Sequence, residues 1–150
     1  MAVKVTPKFK SSDIKKLIEE KFKRIEAAIL LRLQKVGEDF VTNARIGGTY
    51  TDRTGNLRSS VGYLVLRNGQ QYTKGGFELI LTGVDGTKKG RVVLEEVASK
   101  YPTGLVLIVV SGMSYSAAVE SRGRDVLTGS SQIAVIELKA AMERIRKQAA

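Results

Sequence analysis

Cysteine, histidine and tryptophan are all missing from the 150 residues, and proline occurs only twice. Without thiols there is no disulfide framework and no thiolate nucleophile, and the composition gives no sign of an oxidising compartment. Without imidazole there is no Ser-His-Asp triad, no zinc finger built on Cys and His, and no histidine general acid or base. Catalysis would have to use carboxylates, Lys, Tyr, Ser or Thr alone, so the chain is expected not to be an enzyme. The longest apolar run, Leu105 to Val110, has six residues. A membrane-spanning helix needs about 20, so no membrane association is expected. The N-terminus, Met-Ala-Val-Lys-Val-Thr-Pro, has no apolar core of a secretion signal.

What is present is globular and basic. Hydrophobic residues make up 43% and charged residues 27% of the chain, and 25 Lys and Arg face 15 Asp and Glu, a net charge of +10. A chain of this length makes one ordinary domain with a core that needs no staples. Residues 1–12 read as a basic N-terminal arm (Lys4, Lys8, Lys10), followed by a single domain over 13–150. Half of the net charge lies in residues 1–50, with eleven Lys or Arg against six Asp or Glu. Such a surplus favours polyanionic partners, nucleic acid first among them, or an acidic neighbour in an assembly. No base-reading motif accompanies it, so any DNA contact is expected at phosphates only.

The apolar periodicity sets the elements. Ile14, Leu17/Ile18, Phe22, Ile25, Ile29, Leu33, Val36, Phe40 and Ala44 recur in steps of three and four, the stripe of one α-helix capped by Ser11, Ser12 or Asp13. It would run ~45 Å, longer than so small a domain is wide, with Gly37 placed to tolerate a bend. Its broad apolar face reads as that of a long core helix; the alternative is that part of it packs on another subunit. Ile46 to Asn56 reads as a loop. Leu57 to Leu66 alternates as a strand, Asn68-Gly69 signals a hairpin turn, and a second strand is expected near Phe77–Leu81. Thr82–Gly90 reads as a linker and Val92–Lys100 as a short helix stopped by Pro102. Leu105–Val110, unalternating, reads as a central strand covered on both faces. Tyr115–Glu120 reads as a further short strand. Ser130 or Ser131 caps a C-terminal helix carrying Val135, Leu138, Met142 and Ile145. The expected fold is α+β: long N-terminal and C-terminal helices on a mostly antiparallel sheet of about four strands, with a short extra helix.

Chemical motifs are sparse. The Gly86-Thr87-Lys88-Lys89 run lacks the spacing and the hydroxyl residue of a P-loop. The pairs Glu19/Glu20, Glu38/Asp39 and Glu95/Glu96 sit on neighbouring helical positions about 100° apart and do not converge on one ion. No cofactor, metal or small-molecule substrate is expected. The basic loop residues Arg45, Arg53 and Arg58 are candidates for contact with a partner or with phosphate.

Two segments carry a resemblance. Thr54-Gly55-Asn56-Leu57-Arg58-Ser59-Ser60-Val61 follows the long helix and its loop. Gly112-Met113-Ser114-Tyr115-Ser116-Ala117-Ala118-Val119-Glu120-Ser121 follows the hydrophobic strand and precedes the last helix. In this order they resemble the "TG-x-LR-x-S" and "Y-A-x-x-V-E-x-G" stretches of the tailed-phage tail-completion (head–tail joining, neck) family. The matching positions are Thr54, Gly55, Leu57, Arg58, Tyr115, Val119 and Glu120. Ser116 stands where that pattern has Ala, Arg122 separates Ser121 from Gly123, and residues 86–103 look like an insertion. The resemblance implies a structural virion protein, made in the host cytoplasm and built into the head–tail junction. Copies would form a ring with one another and join neighbouring neck and tail proteins, with non-specific DNA contact where the genome passes. A non-sequence-specific protein that grips the DNA backbone outside a virion is the alternative reading of the same charge.

Overall fold

The computed structural model describes all of residues 1–150. Helix α1 runs over Ser11–Gly47. Asp13 closes its first turn by accepting the Lys10 amide at 3.1 Å, as an acidic residue in the first turn should. A short helix α2, Asn56–Ser59, leads into strand β1, Val61–Arg67, and strand β2, Gln70–Gly76. Helix α3 covers Val84–Ala98, strand β3 Leu105–Ser111, helix α4 Ser116–Ser121 and helix α5 Thr128–Ala149.

The three strands form one antiparallel sheet in the order β2-β1-β3. The α+β architecture expected from the sequence is thus present, with three strands instead of about four. Alternate residues of the strands look to opposite faces, and each face has its own core. Val61, Tyr63 and Val65 pack with Leu30, Leu33, Phe40, Val41 and Ala44 of α1, and Leu105, Leu107 and Val109 join them. Leu64, Leu66, Ile108 and Val110 look the other way, onto Leu94 of α3 and Phe77. Helix α5 runs back along α1 in the opposite direction: Ala134 and Leu138 lie near Leu33 and Val36, and Ile145 near Ile25 and Ala28. Phe40, 1% exposed, anchors the α1 face, where burying such a side chain contributes roughly 2–3 kcal/mol.

Several local expectations are corrected. The alternation from Leu57 begins in α2, because Ser59 and Ser60, both fully buried, spend their hydroxyls on the backbone: the Ile80 amide donates to Ser59 Oγ at 2.8 Å, and Ser60 donates to the Leu57 carbonyl at 2.8 Å. The Asn68-Gly69 turn is real, with both residues at positive φ (50° and 76°), and it pairs Arg67 with Gln70 directly. The second strand therefore occupies Gln70–Gly76 and not Phe77–Leu81. It is polar because its side chains stay largely in water, and apolarity points to the wrong segment. The expected linker at Thr82–Gly90 is mostly helix: Gly86 and Gly90 are the points where α3 touches other backbone, against Asn56 and against Ser60 and Gly112. The segment expected as a strand over Tyr115–Glu120 is instead helix α4 from Ser116, with Tyr115 as its N-cap. Helix α5 starts at Thr128, ahead of Ser130 and Ser131. Leu105–Val110 is covered on both faces but lies at a sheet edge; β1 is the central strand. Gly37 makes room for the Tyr63 ring, which a side chain there would overlap.

Candidate functional site

The two motif segments meet. Ser60, Ser111 and Ser116 form a chain of hydroxyls, with Ser111 Oγ 3.1 Å from Ser60 and 2.8 Å from Ser116. Beside it Leu57 of the first motif packs with Met113 of the second, and with Tyr50 and Val126. Val119 closes the cluster from α4. Residues 54–60 and 113–120, more than fifty positions apart in sequence, thus build one junction between the sheet and α5.

Each segment caps a helix that lies elsewhere. Helix α3 has no side-chain cap from its own flank; Asn56 Oδ1 supplies one, accepting the Gly86 amide at 3.0 Å. Helix α5 likewise lacks a cap at Leu127. There Glu120 Oε1 accepts the amides of Val126, Leu127 and Thr128 at 3.3, 2.7 and 2.8 Å and the Thr128 hydroxyl at 3.0 Å. Asp125 takes the next amide, Gly129, at 3.0 Å. The unpaired N–H groups that open a helix are answered by carboxylates, the favourable charge at that end of the dipole. Burial alone would raise the Glu120 pKa, but the hydrogen bonds from Leu127, Thr128 and Val126 outweigh it and hold the carboxyl below its ordinary value.

Arg45 and Arg58, candidates for partner contact, are turned inward. Arg58 Nε donates to the Arg45 carbonyl at 3.0 Å and Arg45 Nε to the Arg58 carbonyl at 3.3 Å, so each guanidinium holds the other's backbone. Arg45 also pairs with Glu78 at 2.8 Å. Asp52 accepts the Arg58 amide at 2.8 Å, and the Arg58 guanidinium lies 5.0 Å over the Tyr50 ring. Burial raises the Tyr50 pKa, against the lowering influence of Arg58. The Tyr50 hydroxyl and Arg45 Nη2 are buried without a partner. Arg53 is exposed and makes no ion pair. Arg58→Lys should cost ~1–2 kcal/mol: an ammonium keeps the charge but loses the planar fork and its stacking. Urea titration checks this as a lower midpoint with an unchanged slope.

No three Asp or Glu side chains converge as a metal-ligand set. No helix is long and apolar enough to cross a membrane. A groove of about 670 Å³ between α1 and β2 is lined by Glu38, Arg45, Tyr63, Lys74 and Glu78 among others; Arg45 pairs with Glu78 and Tyr63 donates to Glu38, while Lys74 makes no ion pair.

A run of exposed apolar side chains lies at the other end of the molecule. The N-terminal part of α1 extends past the end of α5, and there Leu17 is 70% and Phe22 68% exposed, with Ile14 and Ile18 beside them. The sequence periodicity placed these residues on the stripe that is buried farther along the same helix. Lys15, Lys16, Lys21, Lys23 and Arg24 flank them, none held in an ion pair. The chain matches no protein-family model, no curated protein and no solved structure.

Proposed function

We propose that this chain is a structural component of a phage or prophage virion, of the tail-completion or connector type at the head–tail junction, and that copies assemble into a ring. The reading is carried by the uncovered stripe of α1. A helix that keeps Ile14, Leu17, Ile18 and Phe22 in register with its own buried core face, yet extends them beyond the body, is built to be covered by another chain. The two motifs support it by their order and by their meeting in one junction. Their residues mostly secure helix ends and a turn. Unpaired lysines along the projecting helix suit phosphate contact with passing DNA.

Light scattering and native mass spectrometry, over a concentration series and with the neighbouring neck proteins of the same genome, test the proposal. Self-association or entry into a neck complex is expected. A chain that stays monomeric and joins no neck partner overturns it. If it instead binds duplex DNA by itself, with affinity falling steeply as salt rises, the phosphate-gripping reading takes its place.

A further inference from the structure

The sheet ends in two unlike edges. At one, β2 reads Gln-Gln-Tyr-Thr-Lys-Gly-Gly, polar and largely exposed, and its register against β1 shifts between Val65 and Leu66. Polar side chains and irregularity are how sheets avoid pairing with foreign strands. At the other edge, β3 reads Leu-Val-Leu-Ile-Val-Val-Ser, with no charge, no proline and unbroken register. The Gly112 amide bonds the Ser60 carbonyl. By the alternation of an antiparallel ladder, Val106, Ile108 and Val110 then spend their backbone groups on β1, while those of Leu105, Leu107 and Val109 point outward. Nothing in the chain pairs with these outward groups. Along the same edge runs an apolar groove of about 330 Å³, with Leu105, Leu107 and Val109 on one wall and Val135 and Leu138 of α5 on the other; Ser131 is its single polar lining residue.

The chain also carries a segment of matching pattern. Residues 1–10 belong to no element, and Val3 and Val5 are 85% and 86% exposed. They alternate with Lys4 and Thr6, the period of a strand with one apolar and one polar face. Chain geometry decides whose edge they can meet. Arg67, opposite Leu105 in the ladder, grips Glu26 of α1 through two bonds of 3.0 and 2.9 Å, which sets the start of β3 level with Glu26. Lys10 precedes Glu26 by sixteen residues, a distance of ~24 Å along the helix. An extended chain from Lys10 back to Val5 covers only ~17 Å. Val5 therefore falls short of its own β3, and Leu107 and Val109 lie farther still. The projecting helix instead carries the arm outward, to where a neighbouring copy would stand.

We infer that residues 2–6 of one copy add as a fourth strand to the β3 edge of another. Val3 and Val5 enter the groove, Lys4 and Thr6 stay in water, and the outward groups of Leu105, Leu107 and Val109 gain partners. The inference deepens the proposed self-assembly and rests on it.

Hydrogen exchange at the Leu105, Leu107 and Val109 amides, followed in the full chain across concentration alongside its mass, tests it. Protection that appears with the oligomer and vanishes, together with that oligomer, in the Val3→Asp/Val5→Asp variant is expected. Both substituted side chains are exposed in the single copy, so the variant should fold. Because the chain has no cysteine, mixing a Val5→Cys chain with a Val135→Cys chain should also trap a mixed disulfide, which can only join two copies. An oligomer unaffected by the double substitution, or one whose three edge amides exchange freely, overturns the arm exchange and leaves the neck assignment standing. Protection already complete in the monomer also overturns it. A chain monomeric at every concentration and with every neck partner overturns both.

Discussion

Gly55→Ala should lower stability by ~3 kcal/mol or more, read as a melting temperature reduced by roughly 6–12 °C for a chain of this size. Two independent costs add. Gly55 has φ +77°, a left-handed conformation that L side chains rarely adopt, and forcing one there costs ~1–2 kcal/mol. A Cβ at this position would also overlap the Ile80 carbonyl oxygen, with the Ile80 carbonyl carbon only 2.6 Å away. Those are backbone atoms, so the loop over residues 80–83 would have to move. That loop is bound to the same turn by the Thr82 amide on the Thr54 carbonyl at 3.1 Å and by the Ile80 amide on Ser59 Oγ at 2.8 Å. Displacing it also loosens Asn56 from the start of α3. Gly47→Ala is the control. A Cβ there meets nothing within 4 Å, so this change should be near neutral or slightly stabilising. Equal losses at the two glycines would contradict the argument, since neither the left-handed φ nor the backbone overlap of Gly55 is present at Gly47.

The contrast explains what was legible in the sequence. Long amphipathic periods were: α1 from Ile14 to Ala44 and α5 through Val135, Leu138, Met142 and Ile145 both appear, because many residues vote for one face. The hairpin turn was legible because Asn-Gly supplies both positive φ angles locally. What misled was any element defined by its neighbours. Strand β2 is polar since its side chains lie largely in water. Helix α3 opens with glycines because Asn56 and Gly112 press against it, so a close-packed helix looked like a linker. Leu105–Val110 is covered at least in part on both faces while its edge stays open, and cover on the faces alone does not distinguish an edge strand from a central one. The motif positions were found, but their work was not. Only the fold brings Asn56 to α3 and Glu120 to α5, and only the fold turns Arg45 and Arg58 onto each other's carbonyls. The one signal available for Glu120 was its place a few residues ahead of a helix with no acidic residue in its own first turn.

Glu120→Ala should cost ~2–3 kcal/mol at neutral pH, because it leaves three amides and a hydroxyl at the start of α5 without their common acceptor. Helix α5 covers the α1 face of the core, so its fraying would expose Leu33 and Val36 as well. Glu120→Gln keeps the shape and one acceptor oxygen but removes the charge, and about half of that loss is expected. The pH dependence separates the charge from the shape. The folded-state pKa of Glu120 lies below its ordinary value. Its carboxylate therefore contributes stability that is fully present above the unfolded pKa of about 4.3 and is lost as pH falls through the lowered folded value. Melting curves of the native chain and the Gln variant should stay apart by a constant interval near neutrality and draw together below pH about 4. If the interval persists unchanged into strong acid, the carboxylate's charge is not what secures α5, and only the side chain's fit remains to account for the cap.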